Sequence, residues 1–178
     1  MNNLGLESKQ VRVVSYDTSW PSIYAGEITR LAPALAAKGV ILILEHTGST
    51  AVPGLAAKPI IDILAGLRRE VDRVAAVKAL KAAAFQHRGE QEIPGRDFFR
   101  RGEPRQFHLH LTIVGSAFWN DHRTFRNWLR AHRDAMQEYA SLKQTLAAKY
   151  PTDRESYIHG KSAFVAQVLQ TARSLREC

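Results

Sequence analysis

The sequence predicts an α+β fold, in which a small mixed β-sheet is flanked by helices and followed by further helices at the C-terminus. Two continuous apolar runs, VILILEH (40–46) and KPIIDILAGL (58–67), have the aliphatic and β-branched composition of buried strands. The segment DFFRRGEPRQFHLHLTIVG (97–115) is typical of a β-hairpin with a Gly-Glu-Pro turn. After residue 118 the pattern is helical, so we expect helices packed on or beside the sheet.

Length and composition predict one domain over residues 1–178, with a sheet core at about 11–115 and a helical part at about 118–175. The only cysteine is the last residue, Cys178, which excludes a disulfide framework and a cysteine-based zinc site. The longest apolar run, GVILIL, is far too short to cross a membrane. The first ten residues lack a signal-peptide pattern. We therefore expect a cytoplasmic protein without membrane association; the oligomeric state is not predicted.

The formal net charge of +8 favours anionic partners, such as nucleotides, phosphorylated metabolites or nucleic acid. The basic residues are dispersed, and the clusters at 68–69 and 100–101 are short, so a solvated basic surface explains the charge at least as well. We expect a nucleotide or phosphorylated small molecule as the partner. Nucleic acid ranks lower because net charge is its only support.

The N-terminal elements follow from local signals. Residues 11–15 predict a short strand or an extended arm, and the next segment predicts a helix capped by Asp17 or Ser19 and ended by Gly39. Pro33 is expected to kink or split this helix. The two apolar runs that follow are both expected to be central strands, because each is continuously apolar.

The remaining elements are mostly helical. In EVDRVAAVKALKAAAF, the helical spacing of the apolar residues predicts a buried face formed by Val71, Val74, Val77 and Leu80. Asp121 is expected to cap the first C-terminal helix, with a break near 131–134. The sequence Thr152-Asp153-Arg154-Glu155 matches a capping box, which predicts the start of the last helix.

The strongest candidate for chemistry is Asp62, a single carboxylate within an apolar strand. Such a group is costly to bury unless it is paired or bound to a metal. Its alternatives are a salt bridge, for which Lys58 lies on the same strand face, and a functional cleft. The turn Gly48-Ser49-Thr50 precedes this strand and offers backbone amides and a hydroxyl to a phosphate, although an ordinary capped turn explains it equally well.

Two imidazoles form the second candidate group. His108 and His110 project from one face of their strand, where they can bind a metal, bind phosphate when protonated, or hydrogen-bond a carboxylate. Basic residues on the C-terminal helices are candidates for phosphate contacts or are solvated surface charges. They are Arg126, Arg130, Lys143 and Lys161.

Several of these segments together resemble the GrpB family, a bacterial group also found fused behind dephospho-CoA kinase. The resemblance spans nearly the whole chain. It rests on YDTSW (16–20), EHTGSTAVPGLAAKPIIDI (45–63), HLHL (108–111), FRNWLR (125–130), YASLKQTLAAKY (139–150) and YIHGKSAFV (157–165).

The resemblance implies a nucleotidyltransferase-like fold, in which a Gly-Ser turn holds nucleotide phosphates and carboxylates on the next strand hold Mg²⁺ or Mn²⁺. In this chain the turn corresponds to Gly48-Ser49-Thr50, and Asp62 stands where the first carboxylate belongs. His110 or His108 would complete the metal shell or act as a general base. Lys58, together with the basic residues of the C-terminal helices, would neutralise phosphate.

One departure from the fold's usual pattern limits this expectation. The second carboxylate is expected two residues after Asp62, where this chain has Leu64. Three functions therefore remain open at the level of sequence. The first is nucleotidyl transfer with one divalent metal, the second is a non-catalytic nucleotide- or CoA-type binding module, and the third is a metal-dependent hydrolase with Asp62, His108 and His110 as ligands.

Overall fold

The computed structural model describes residues 4–175, which form a five-stranded mixed sheet and six α-helices. The strands are β1 Ile43–Thr47, β2 Ile61–Leu67, β3 Gln86–His87, β4 Asp97–Arg101 and β5 Phe107–Ile113. Their spatial order is β1-β2-β5-β4-β3, with β2 and β5 parallel and all other neighbours antiparallel. The predicted α+β class with a small mixed sheet is confirmed.

The helices lie before, between and after these strands. Their bounds are α1 Trp20–Ala36, α2 Arg73–Ala82, α3 Ala117–Ala131, α4 Arg133–Lys149, α5 Arg154–His159 and α6 Ser162–Ser174. Short 3-10 turns occupy Ser49–Ala51 and Glu70–Asp72. Within residues 4–175, none of the helices combines the length and apolarity that a membrane span requires.

The main core lies between one sheet face and helices α1 and α2. Ile61 and Ile63 of β2 pack there with Leu31 of α1 and Leu80 of α2, all of them fully buried. The buried face of helix α2 consists of two small residues, Ala76 and Ala79, together with Leu80. The predicted valine face is wrong in part, because Val71 and Val74 are exposed.

Only one of the two apolar runs forms a central strand. The strand β2 is buried along almost its whole length, whereas β1 is an edge strand and is only partly buried. Residues 11–15 form an extended arm with a single bridge, between Val14 and Ala57, instead of a strand. Whether a strand lies in the centre of the sheet depends on the strands that pair with it. Apolar composition alone does not reveal this pairing.

The helix boundaries differ from the prediction at three points. The helix α1 runs unbroken through Pro33, so the predicted split does not occur. Ser116 caps α3 through a hydrogen bond from the Trp119 amide, while Asp121 lies inside that helix. Asp153 caps α5 by accepting from the Ser156 amide, one residue later than the predicted capping box. The predicted break near 131–134 is present at His132, between α3 and α4.

A second core attaches the C-terminal helices to the segment between β1 and β2. Val52 and Leu55 of that segment pack against Leu129 of α3, Tyr139 of α4 and Phe164 of α6. Helix α3 also contacts β1, β2 and β5 on the sheet face opposite α1 and α2. The C-terminal helices are therefore held over the same sheet face that carries Asp62.

Candidate functional site

A row of polar side chains crosses one face of the sheet, with one residue from each of four strands. Thr47 of β1 pairs in register with Asp62 of β2, and Asp62 lies beside His108 of β5. His108 is paired in turn with Arg100 of β4. Because residues in register on neighbouring strands project to the same side, the four side chains share one face. We call Thr47, Asp62, His108 and Arg100 the polar row.

Three members of the polar row carry a buried polar atom that has no hydrogen-bond partner within residues 4–175. These atoms are Thr47 Oγ1, His108 Nε2 and Arg100 Nε. Buried polar atoms in folded proteins are normally hydrogen-bonded, so each exception requires an explanation. A cluster of buried polar atoms without hydrogen-bond partners around one carboxylate is typical of a ligand site.

Gly48 directly follows the polar row and approaches Asp62 closely. Its φ angle is +69°, and a Cβ atom placed there would lie 3.0 Å from Cβ and Cγ of Asp62 and closer still to Oδ2. Any larger residue would therefore have to displace the carboxylate or the turn. The glycine is thus needed for two reasons, since its backbone angle also lies in the region that L side chains rarely adopt.

Asp62 and His108 form a hydrogen-bonded pair, with 3.2 Å between Oδ1 and Nδ1. An ionised carboxylate only accepts hydrogen bonds, so Nδ1 carries the proton and Nε2 of the neutral ring is an unprotonated acceptor. Burial lowers the pKa of His108 to about 4, although Asp62 opposes the shift. Burial alone would raise the pKa of Asp62, but the hydrogen bond from His108 and the proximity of His110 outweigh it and hold that pKa below its usual range.

His110 completes the surroundings of the carboxylate. Its Nε2 lies 3.9 Å from Asp62 Oδ1, and its Nδ1 faces the guanidinium of Arg96 at 3.4 Å. Its register partner on β2 is Leu64, which is fully buried. The position expected for a second carboxylate therefore holds an apolar side chain in contact with the core.

Lys143 reaches the Gly-Ser turn from helix α4. Its buried ammonium donates to Ser49 Oγ at 3.0 Å and to the carbonyl oxygen of Ala56. Burial, and then repulsion from Lys161 and Lys58, lowers its pKa to about 6. The Ser49 hydroxyl thus joins the turn to a lysine that lies 94 residues later in the chain.

Lys58 and Lys161 lie over the ring of Tyr157, with their Nζ atoms 5.1 and 4.6 Å from its centroid. Burial lowers the pKa of Lys58 to about 7 and that of Lys161 to about 8. Asp62 opposes both shifts, which shows that the carboxylate is within electrostatic reach of both ammonium groups. We call Lys58, Lys143 and Lys161 the lysine group.

Three of the predicted phosphate ligands contact other groups of the protein. Arg126 pairs with Glu45 at 2.8 Å and donates to the carbonyl oxygen of His46, so it holds α3 against β1. The buried Thr50 hydroxyl lies 3.0 Å from His46 Nε2. Among residues 4–175 it forms no hydrogen bond with an ammonium of the lysine group. Arg130 likewise donates twice to the carbonyl oxygen of Ala51. These contacts hold the turn and helix α3 in place, and a phosphate-binding role for these residues stays a prediction.

Sequence reasoning missed Arg100, Arg154 and Tyr157. Arg100 is the first residue of an Arg-Arg pair, and strand alternation places it with Phe98 on the site face. Arg101 points to the opposite face, where it pairs with the buried Glu27. The alternation was visible in DFFRR, but nothing local identifies which of the two faces carries a site.

The donor set does not fit a resident divalent metal. No group of three or more His, Cys, Asp or Glu side chains within residues 4–175 is arranged to hold one. Asp62 is the carboxylate of the polar row, its Oδ1 is already bonded by His108, and Lys58 and Lys161 are within electrostatic reach of it. Hard divalent cations instead require several oxygen ligands. The metal role expected for Asp62 and His110 therefore gains no support from the geometry.

Comparisons with known proteins agree with this architecture. A family model described as "GrpB protein" matches residues 10–171. The chain is 40% identical over 171 residues to "UPF0157 protein PA4798" of Pseudomonas aeruginosa, covering 93% of this chain and 69% of that protein. A "Dephospho-CoA kinase" of Mycolicibacterium paratuberculosis is 24% identical, and the match covers 91% of this chain and 46% of the kinase.

Solved structures show the same fold. The crystal structure of GrpB from Enterococcus faecalis superposes with a TM-score of 0.81 at 29% identity, over 94% of this chain and 100% of that one. The Cid1 poly(U) polymerase in its MgGTP-bound structure superposes with a TM-score of 0.52 at 14% identity, over 76% of this chain and 44% of that one. The second likeness concerns the fold alone, and it confirms a nucleotidyltransferase-like architecture.

Proposed function

The chain belongs to the GrpB family, and from that premise we propose that the cleft beside Asp62 binds a nucleotide or another phosphate-bearing ligand. One observation carries the proposal. Lys58 and Lys161 share the ring of Tyr157, and Lys143 is bonded to Ser49 of the turn. Burial lowers the pKa of all three lysines, and repulsion from other lysines adds to the shift of Lys58 and Lys143. An anionic ligand would offset that repulsion and favour the protonated form of the lysines, and this interaction would contribute to the free energy of binding.

The Gly-Ser turn gives the proposed ligand a second point of attachment. Ser49 is already hydrogen-bonded to Lys143, so a phosphate placed at the turn would meet a hydroxyl and an ammonium together. The fold likeness to Cid1, a polymerase with a bound MgGTP, favours a nucleotide over other phosphate compounds. The thermal-shift experiment below tests which chemical group carries these phosphates.

A second candidate function is nucleotidyl transfer, which the Asp62–His108 pair favours. In this reaction an acceptor hydroxyl gives its proton to His108 Nε2, and its oxygen bonds to the α-phosphorus of a nucleoside triphosphate. The bond between that phosphorus and the bridging oxygen breaks, and pyrophosphate leaves with the electron pair. Asp62 orients the ring through Nδ1 and stabilises the imidazolium that forms, while the lysine group offsets the charge on pyrophosphate.

Binding is tested by the thermal shift that nucleoside triphosphates and pyrophosphate produce, with and without Mg²⁺ and Mn²⁺. A ligand that binds the native state raises the melting temperature by mass action. We expect a rise in the wild type that is reduced in Lys143→Gln and Lys161→Gln. The matched control is Lys78→Gln, which removes an exposed lysine of α2 and leaves the rise unchanged. A wild type that responds to none of these ligands would refute the proposal.

Two variants of the Asp62–His108 pair distinguish nucleotidyl transfer from nucleotide binding. Asp62→Asn removes a negative charge from beside the phosphates, so nucleotide binding without metal should persist or tighten while turnover is lost. His108→Asn keeps a donor toward Asp62 but lacks the basic nitrogen, so it should bind nucleotide without releasing pyrophosphate. If the wild type binds nucleotide but forms no product with any acceptor tested, transfer is rejected and the binding function stands alone.

A further inference from the structure

Lys143 is a fully buried lysine without an acidic partner. No salt bridge in the described part of the chain involves it. A lysine that is removed from water and has no carboxylate partner loses its proton readily. Burial and then repulsion from Lys161 and Lys58 lower its pKa to about 6, so the neutral amine predominates at pH 7 and above.

Two oxygen atoms hold the Lys143 nitrogen in place. The carbonyl oxygen of Ala56 only accepts hydrogen bonds, so it always takes an N–H of the lysine. The Ser49 hydroxyl lies 3.0 Å from Nζ and has both a proton and lone pairs. It accepts from the ammonium form, whereas it can donate to the lone pair of the neutral amine. The lysine is thus positioned to remove the proton of Ser49.

Ser49 lies between this amine and the cleft. It is the first residue of the 3-10 turn after β1, and it follows Gly48, whose φ angle is +69°. Ser49 is partly exposed, while Lys143 behind it is buried. A serine at a sharp turn between a strand and a helical turn can meet a substrate, and a base within hydrogen-bond reach activates it. Serine and lysine form such catalytic pairs in several unrelated folds.

We propose that Ser49 is a nucleophile with Lys143 as its general base, and that the pair hydrolyses a carboxylic ester. Ser49 Oγ bonds to the carbonyl carbon of the ester, and its proton moves to Lys143 Nζ. The bond from that carbon to the ester oxygen then breaks, and the alcohol leaves with the proton from Lys143. This activity requires no nucleotide, so it goes beyond the binding function proposed above.

A water molecule completes the reaction by removing the acyl group from Ser49. The water oxygen bonds to the carbonyl carbon while Lys143 takes one of its protons. The bond between that carbon and Ser49 Oγ breaks, the carboxylic acid leaves, and the proton on Lys143 returns to Ser49. Both residues end in the state in which they began, so the cycle consumes only ester and water.

The test is labelling of the full chain with a fluorophosphonate, which reacts covalently with activated serines, followed by mass spectrometry of the intact protein and its peptides. We expect one adduct, on Ser49, and none in Ser49→Ala. Lys143→Met should slow labelling by about a hundredfold or more, which is the usual contribution of a general base. The matched controls Ser22→Ala and Lys78→Met change exposed residues of α1 and α2 and should be labelled as fast as the wild type.

Turnover is measured with p-nitrophenyl acetate. The wild type should release p-nitrophenol faster than Ser49→Ala and Lys143→Met, and prior labelling should abolish the difference. A wild type that forms no adduct on Ser49 would overturn the proposal. So would a wild type that hydrolyses the ester no faster than Ser49→Ala.

The pH profile of the wild type tests the base without any substitution. The labelling rate should rise about tenfold per pH unit below pH 6 and level off above pH 7, because the neutral amine of Lys143 is the active form. Lys58 and Lys161 are the charged groups that repel it, and their own pKa values are about 7 and 8. The hydroxyls of Tyr139 and Tyr157 stay protonated, because burial raises the pKa of both.

The loss of charge from Lys58 and Lys161 occurs above pH 6, where Lys143 is already neutral, so the level region should persist. A rate that instead keeps rising about tenfold per unit from pH 5 to pH 9 would show an unactivated serine and would overturn the proposal.

One additional arm separates this activity from the proposed phosphate binding. A phosphate at the turn favours the ammonium form of Lys143 and so removes the base, which means that pyrophosphate should slow the labelling of Ser49. Labelling that pyrophosphate leaves unchanged would reject phosphate binding at this turn while the nucleophile stands. Pyrophosphate binding without any labelling of Ser49 would reject the nucleophile while the binding function stands.

Discussion

Gly48 and Asp62 lie in contact across the end of the first two strands, and the carboxylate occupies the space in which a side chain at position 48 would lie. The turn and the acid are therefore one structural unit, although 13 residues separate them in the chain. Ser49 extends this unit to helix α4 through its hydrogen bond from Lys143.

Gly48→Ala should destabilise the protein and displace Asp62. A non-glycine residue at this backbone angle costs about 1–3 kcal/mol, and the overlap with the carboxylate adds to that cost. Gly54→Ala is the matched control, because Gly54 also has a positive φ, +79°, but has no heavy atom within 4 Å of the added Cβ. Chemical denaturation of both variants measures the difference. Equal losses of stability would show that Asp62 moves without cost.

The lysine group should make the stability of the ligand-free protein rise with pH. The pKa of Lys143 in the folded state is about 6, which is far below its ordinary value, and that of Lys161 is about 8. Between these values and about 10, the unfolded chain binds more protons than the folded chain, so the free energy of unfolding increases with pH. Below pH 6 the cost of burying the charges is fully present.

Lys143→Met should reduce that pH dependence. The substitution removes the buried charge and leaves an apolar side chain of similar length beside Tyr139, whose ring centroid lies 4.7 Å from the ammonium. Melting temperatures from pH 5.5 to 9.5 at constant ionic strength give the slope. Lys78→Met, at an exposed position on α2, should leave the slope unchanged. A wild type whose melting temperature is flat across this range would contradict the lowered lysine pKa values.

Phosphate binding should be accompanied by proton uptake. A bound anion favours the ammonium form of Lys58 and Lys161, whose pKa values are about 7 and 8 in the free protein. The affinity for pyrophosphate should therefore fall as pH rises from 7 to 9. Calorimetry at pH 8 in buffers with different ionisation enthalpies counts the protons. Binding without proton exchange would place the anion outside the lysine group.

Leu64→Asp should destabilise the fold without creating a metal site. Leu64 is fully buried, so the change removes apolar packing and adds a charge, at a cost of about 3 kcal/mol or more. Leu64→Asn matches the aspartate in size and controls for the loss of packing. Melting curves with and without Mg²⁺ provide the measurement. Recovery of stability by Mg²⁺ in the aspartate variant alone would show that this cleft accepts a metal once a second acid is present.

The fold class was predictable because hydrophobic pattern and turn residues are local signals. The run around Asp62 is a buried strand, and DFFRRGEPRQFHLHLTIVG forms the expected hairpin of β4 and β5. The errors occurred where a partner outside the local segment decides the outcome. Strand β1 has the composition of a central strand but lies at the edge, and Val71 and Val74 have helical spacing but face solvent.

The candidate site was predictable for residues with an unusual local setting. Asp62 is conspicuous as one acid in an apolar strand, and His108 and His110 are conspicuous as a pair on one strand face. The structure brings these three residues together. Arg126 looked equally suitable for phosphate, but its donors are used by Glu45 and His46. The sequence around a single arginine does not show which acceptors its guanidinium meets.

The amino-acid sequence by itself determined the α+β class, the family resemblance, the strand that carries Asp62 and the absence of a carboxylate at Leu64. These properties depend on residue identity and on periodicity within single elements. Only the tertiary structure decided that Thr47, Asp62, His108 and Arg100 form one row, and that Lys143 meets Ser49. The physical reason is that strand register and helix docking are set by the packing of the whole core, which brings together charges that lie far apart in the chain.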